Sequence, residues 1–328
     1  MTVAHSNLSG ALLSLAAFAI YAFNDVIVKF LGSNAAYHPF QTIFFSGLMA
    51  FPLMTIVMMS DKSDGNLRPK MPGWTVTRSV LTVLNGLTGF YAFSVLPLSE
   101  AYPIFFAMPM LVTLLAIPML GEKVGLHRGL AVVVGLIGVV VVVRPGSANF
   151  GLGHIAALTA AAIGAMNSVL VRKTGQAERS AVIMLYPMIA NFIVAGIALP
   201  FVYKPMPIEH LGLVAAMAVL GITASLLAIM AYRRAAAVIV APMQYSQIIW
   251  ATIFGTLFFN ETHDLVTALG TGIIILSGIY IVLREDKPRV SKNRPVLETR
   301  SRFDIGLSPR LSTWLRLSDS RKGSKYEG

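Results

Sequence analysis

Between Leu8 and Leu283 the chain holds ten stretches of about 20 residues each in which ionisable side chains are almost absent, the length an α-helix needs to cross hydrocarbon. They fall at about 8–31, 39–60, 75–97, 100–120, 127–143, 151–171, 180–200, 208–232, 236–259 and 264–283. Lipid offers no partner to a backbone N–H or C=O, and a spanning segment of this length satisfies its own groups as a helix. The connections 97–99, 144–150 and 260–263 leave no room for a folded domain outside the bilayer. The expected fold is all-α and integral to the membrane, with ten transmembrane helices.

Composition excludes the main rivals. Charged residues make up 12% of the 328, against about 25% in soluble domains, and mean hydropathy is +0.71. Without cysteine, neither a disulfide framework nor a thiolate metal site can form. The formal charge of +11 sits between apolar stretches and in the last 45 positions, the distribution of a membrane topology rather than of a nucleic-acid-binding surface. Only His5 precedes the first stretch, which continues past Asp25, so it reads as a retained span and not a cleaved signal peptide. From Arg284 onward 12 Lys and Arg stand against 6 Asp and Glu, and residues 285–328 read as a disordered basic cytoplasmic tail. Within it RLSTWLRL at 310–317 has two readings, plain disorder or contact with anionic lipid through Leu311, Trp314 and Leu315.

The chain repeats itself. FNDVIVK at 23–29 returns as MNSVLVR at 166–172 with an offset of 143, which also carries Gly10 onto Gly153 and Ile20 onto Ile163. Later in each half the offset is 139, carrying Pro103 onto Pro242 and Glu122 onto Glu261. The halves are 8–145 and 151–284, five stretches each. Because five is odd, the second copy is expected upside down relative to the first, an inverted-topology five-helix repeat. Charge supports this. With the N-terminus inside, the inner loops hold most of the Lys and Arg, and the outer loops hold only Arg144 and Lys204. Ser94 and Val95 correspond to Arg233 and Arg234, and Lys123 and Arg128 to Thr262 and Thr267, so aligned sites differ in charge. Both termini are expected in the cytoplasm.

The segment YAFSVLPLSEAYPIFFAMPMLVTLLAIPMLGEKVGLHRGLAVVVGLIGVVVVVRPG at 91–146 resembles the second part of an EamA domain, with its proline-containing fourth span, Gly-Glu-Lys turn and glycine-punctuated fifth span. Residues 232–284 resemble the same pattern, with Asn260-Glu261-Thr262 in place of Gly-Glu-Lys and Arg233-Arg234 where the first half is neutral. The resemblance implies the drug/metabolite transporter superfamily: two inverted repeats and secondary transport of small organic solutes. FNDVIVK and SDKSDGNLRP look most like bacterial members associated with vitamin uptake, riboflavin in particular. An exporter of amino acids, amines or related metabolites is the alternative, and a bacterial inner membrane is the implied location.

Polar side chains within the spans are the candidates for a substrate or ion pathway, because such groups normally face a partner or a water-filled cavity. Asn24 and Asp25 lie in the first span, Asp25 ~25 Å along it at ~1.5 Å per residue. One reading places Asp25 on a cavity, binding a cationic group or a proton. The other pairs it with Lys29 at i+4, Lys29 reaching outward, while Asn24 and Asn167 bond neighbouring helices. Tyr21, one turn before Asp25, belongs to the same wall. Arg78, Thr82, Asn85 and Gly89 share a face of the third span; Asn85 is the candidate for substrate contact and Arg78 for lipid headgroups. In the ninth span Gln244, Tyr245, Gln247 and Trp250 bring amides and aromatic rings together, suited to a flat hydrogen-bonding ring or to packing. Pro103 and Pro242 should kink equivalent helices and serve as gating elements. Ser99 reads as an N-cap with Glu100 in the first turn, and Glu122 and Glu261 as turn residues. Gly129, Gly135, Gly138, Gly270, Gly272 and Gly278 permit close helix packing, within the chain or in a homodimer.

The six histidines are scattered, and no HExxH, nucleotide-binding loop, selectivity filter or charged ring is present, which argues against an enzyme, an ATP-driven pump and a channel. No catalytic residue, metal site or cofactor is expected. The expected partners are a small-molecule substrate, the lipid bilayer and a proton or counter-solute as driver.

Overall fold

The structure, a computed structural model, describes residues 2–59, 67–121, 124–148, 150–174, 178, 180–235, 237–262 and 264–285. Glu122 and the tail, with the lipid-binding reading of 310–317, lie outside them.

The described residues form helices and no strand: α1 (Thr2–Ser33), α2 (Pro39–Met59), α3 (Pro72–Val95), α4 (Leu98–Phe105), α5 (Met108–Leu120), α6 (Leu126–Val143), α7 (Leu152–Thr174), α8 (Ser180–Val202), α9 (Ile208–Arg234), α10 (Ala237–Met243), α11 (Ser246–Phe259) and α12 (Leu265–Glu285). Each apolar stretch carries one helix, except that the fourth and ninth carry two. Among the described residues seven helical segments are long and apolar enough to cross a membrane: 8–33, 98–120, 126–143, 152–171, 185–202, 208–228 and 265–283.

The two interruptions have a common cause. Pro103 and Pro109 lack the amides that would bond the carbonyls of Ser99 and Phe105, and the chain tightens, with the Ala107 amide bonding the Ile104 carbonyl at 3.1 Å. Past Pro242 the amides of Gln244 and Tyr245 likewise reach back three residues, to Ala241 and Pro242, at 3.2 and 3.1 Å. The breaks, at 106–107 and 244–245, begin three and two residues after their prolines, and Phe106 and Tyr245 each stand three residues past the proline. The C-terminal ends of α5 and α11 also correspond. Gly121 (φ +69°) and Asn260 (φ +51°) end these helices in the left-handed region, and Asn is one of the few residues besides Gly that visit it routinely. The replacement of Gly121 by Asn260 at the equivalent position therefore keeps the left-handed helix end.

Helix α1 runs along α9 and also meets α10 and α11; α7 runs along α3 and also meets α4 and α5; α2 packs on α8 and α6 on α12. Exchanging the halves leaves these contacts unchanged, whereas α1 also packs on α3 and α4 on α11 without counterparts of that extent. The α6–α12 contact is backbone to backbone. A Cβ on Gly138 would lie 3.0 Å from the Gly270 carbonyl oxygen, and one on Gly270 would lie 2.9 Å from that of Gly138. Gly135 faces Met110 and Ser277, and Gly278 faces Tyr245, whereas a Cβ on Gly129 or Gly272 would meet nothing within 4 Å. Four of the six glycines singled out in the sequence thus serve packing inside the chain. Outward, Leu126, Leu130, Ile137 and Val140 on α6 and Leu265, Leu269 and Leu276 on α12 are exposed. An apolar surface of this extent suits hydrocarbon rather than water.

Candidate functional site

Leu98, Tyr102 and Phe106 follow one another at intervals of four along α4 and its break, so they lie along one face. At the middle level the Tyr102 hydroxyl donates to Oδ2 of Asp25, a residue only 2% exposed. One turn below, the Phe106 ring meets that of Tyr245 with centroids 4.9 Å apart and an interplanar angle of 37°, so the equivalent positions of the two breaks touch. One turn above, the Leu98 amide donates to the Glu261 carboxylate at 2.9 and 3.0 Å, and Lys29 Nζ lies 2.9 Å from Glu261 Oε1.

These contacts correct three local expectations. Asp25 and Lys29 do not pair with each other: the acid takes Tyr102 and the base takes Glu261. Lys29 does not reach outward either, being 7% exposed. Ser99 is not the N-cap of α4, a position held by Pro97 with no side-chain cap bond; the Glu261 carboxylate accepts the first amide instead, favourably with the helix dipole. Glu261 stands in a turn as expected, yet its carboxylate is directed inward. Arg78 donates to the Ile183 carbonyl and ties α3 to α8.

The remaining candidates divide among several seams. Tyr21 shares a 2.7 Å hydrogen bond with Ser225 on α9. Asn167 Nδ2 donates to Thr82 Oγ1 across α7 and α3 at 3.4 Å, and Asn85 is buried on the same face of α3. Gln244 sits in the break itself, whereas Gln247 and Trp250 lie on α11, where Trp250 stacks on Phe254 and Phe254 packs edge-on against Phe23. Asn24 Oδ1, Asn167 Oδ1, Tyr245 Oη, Ser246 Oγ, Gln247 Nε2 and Trp250 Nε1 are buried with no hydrogen-bond partner among the described residues. Leaving such a group unsatisfied costs about 1–3 kcal/mol, so the cluster on the α10–α11 break is suited to a polar ligand. In the first half the corresponding residues are Phe106, Ala107, Met108 and Leu111. Polarity is concentrated on one of the two breaks.

Tyr102 and Ser246 escaped the sequence reading because single hydroxyls in an apolar run carry no spacing signal. The four-residue interval from Leu98 through Tyr102 to Phe106, next to Pro103, was the one available hint.

Tyr245 depends on the missing side chain of Gly278, where a Cβ would stand 1.7 Å from its hydroxyl and 2.4 Å from ring carbon Cζ. Because the ring itself is in the way, Gly278→Ala must expel it from its contact with Phe106. A thermal melt of detergent-solubilised protein should show a loss of about 1–3 kcal/mol, the range for overpacking.

The sequence pattern of the EamA-like transporter family matches residues 8–144 and again 151–284. An S-adenosylmethionine uptake transporter of Rickettsia prowazekii (strain Madrid E) is 27% identical over 275 residues, covering 82% of this chain and 91% of that protein. The pseudopaline exporter CntI of Pseudomonas aeruginosa (strain UCBPP-PA14) is 24% identical over 278 residues, 83% of this chain and 95% of the relative. A riboflavin transporter of Vibrio cholerae serotype O1 (strain ATCC 39315 / El Tor Inaba N16961) is 25% identical over 296 residues, 88% and 97% of the two chains. One solved crystal structure shares the fold with a TM-score of 0.56 at 16% identity, covering 85% of this chain and 97% of that one.

Proposed function

Because the chain belongs to the EamA-like transporter family, we propose that it is a ten-span secondary carrier of the bacterial inner membrane, built from two inverted five-helix repeats with both termini in the cytoplasm. Its substrate is a small metabolite with a flat, hydrogen-bonding ring, riboflavin in the first instance, taken up by alternating access. The observation that carries the reading is the meeting of the two helix breaks at Phe106 and Tyr245, beside unsatisfied donors on Ser246, Gln247 and Trp250. Broken helices free polar groups for a ligand near the bilayer midplane, and rocking one repeat against the other exposes such a site to each side in turn. The contacts of α1 with α9 and of α7 with α3, equivalent when the halves are exchanged, support the repeat. The excess of Lys and Arg in the assigned inner loops supports its orientation.

In this reading the aromatic rings hold the face of the substrate, while Gln247 Nε2 and Trp250 Nε1 donate to acceptors on its edge. Asn24, Asp25, Asn85 and Asn167 line the route, and Pro103 and Pro242 supply the bends about which gating helices move.

A second reading follows from one observation, the buried Asp25 carboxylate facing the same column. A neutral ring has no use for that charge, whereas a cationic substrate does, whether an amine to be exported or an S-adenosylmethionine-like solute. Growth of a riboflavin auxotroph on low vitamin, together with labelled uptake competed by riboflavin, S-adenosylmethionine or simple amines, separates the two. Rescue with competition by riboflavin supports the first; a well-expressed protein that gives no rescue and is competed only by cations supports the second.

A further inference from the structure

We propose that Lys29 and Glu261 form the latch that closes the outer mouth of the carrier, opening and re-forming once in each transport cycle. The inference rests on the alternating-access reading and adds to it the identity of one gate.

The pair is buried, with side chains 9% and 8% exposed, and it joins the end of α1 in the first repeat to the α11–α12 turn of the second. Both members have further anchors at the same end. Lys29 also donates to the Leu96 carbonyl and lies 5.2 Å from the centroid of the Phe259 ring, and Glu261 accepts the Leu98 amide at the start of α4. The turn is built to aim the acid inward: Asn260 takes the left-handed conformation, the Glu261 amide bonds the Gly255 carbonyl at 3.1 Å, and Gly255 has no Cβ where the carboxylate folds back. Directly beneath lie Tyr102 with Asp25, then Phe106 with Tyr245, so separating Lys29 from Glu261 uncovers the column that leads to the substrate region.

Two charges withdrawn from water are stable only while paired, and each must rehydrate when parted. The pair is therefore a two-state element, dry when closed and wet when open, as a gate requires. The repeat offsets carry the same two charges onto Arg172 and Glu122. The sequence thus holds a base and an acid at the positions equivalent to the latch; the Arg172 side chain and Glu122 lie outside the described residues.

The chain has no cysteine of its own, which makes a thiol test clean. Phe106→Cys, placed below the latch, is labelled with a membrane-impermeant maleimide in right-side-out vesicles, alone and combined with Lys29→Met or Glu261→Gln. Gln at 261 keeps an acceptor for the Leu98 amide while losing the charge. Opening the latch should raise the labelling rate roughly tenfold, a population shift of ~1.4 kcal/mol. In a second arm, Lys29→Cys/Glu261→Cys joined by a short bifunctional thiol reagent should lose solute exchange and regain it on reduction, a reversal that misfolded protein cannot give. Unchanged labelling in both latch variants, or exchange that persists in the cross-linked protein, overturns the proposal. The labelling arm needs no substrate, so a latch that behaves as stated in a protein that moves none of the tested solutes would count against the substrate reading alone.

Discussion

Asp25→Asn is expected to lower the initial rate of solute uptake into right-side-out vesicles about a hundredfold, equivalent to ~2.7 kcal/mol, without reducing the yield of folded protein. The substitution is nearly isosteric and leaves an oxygen able to accept the Tyr102 hydroxyl, so the bridge between α1 and α4 survives. Only the charge and the capacity to take up a proton are removed. A purely structural Asp25 would tolerate this, because a neutral acceptor meets the same donor. A working Asp25 would not, whether it neutralises a cationic substrate or carries the driving proton. Uptake measured from pH 5 to pH 8 in both proteins is the check, and an unchanged rate with an unchanged pH profile would remove the residue from the mechanism.

Gly270→Leu should cost about 3 kcal/mol of stability, the upper end of ordinary overpacking effects, and lower the thermal midpoint in detergent accordingly. The site has no slack. The nearest atoms to a new Cβ are Val142 Cγ2 at 2.7 Å and the Gly138 backbone oxygen at 2.9 Å. A backbone oxygen cannot rotate away, so α6 and α12 must separate. Gly272→Leu is the matched control, two residues along the same helix with nothing within 4 Å of its Cβ, and it should leave the midpoint unchanged. Leu is a better helix former than Gly, so equal losses at the two positions could not come from helix propensity and would show that the close α6–α12 approach does not set the effect.

The helices and their prolines were legible in the sequence because both signals are local. A run of apolar residues selects a helix within its own length, and Pro103 and Pro242 interrupt theirs by what each lacks within one turn. The repeat was legible for a related reason, since an offset of 143 or 139 compares the chain with itself and needs no knowledge of contacts. Partner choice was another matter. On helical spacing alone Asp25 and Lys29 are each other's natural partners. In the folded chain Asp25 bonds a tyrosine 77 positions away, and Lys29 meets an acid in the other repeat that the α4 N-terminus also holds. A surface pair at i and i+4 is worth only about 0.2–0.5 kcal/mol, so burial against better-anchored groups readily displaces it.

What the amino-acid order determined by itself was the solvent of this protein, its helical content, its twofold internal repetition and the list of polar side chains that must be accommodated out of water. What the tertiary structure alone decided was which of them meet: Tyr102 with Asp25, Glu261 with both Lys29 and the Leu98 amide, and Phe106 with Tyr245. The reason is one of range. Hydropathy and proline act within a turn or two of their own helix, whereas the energy of a buried charge or hydroxyl is set by the atoms packed against it from distant parts of the chain.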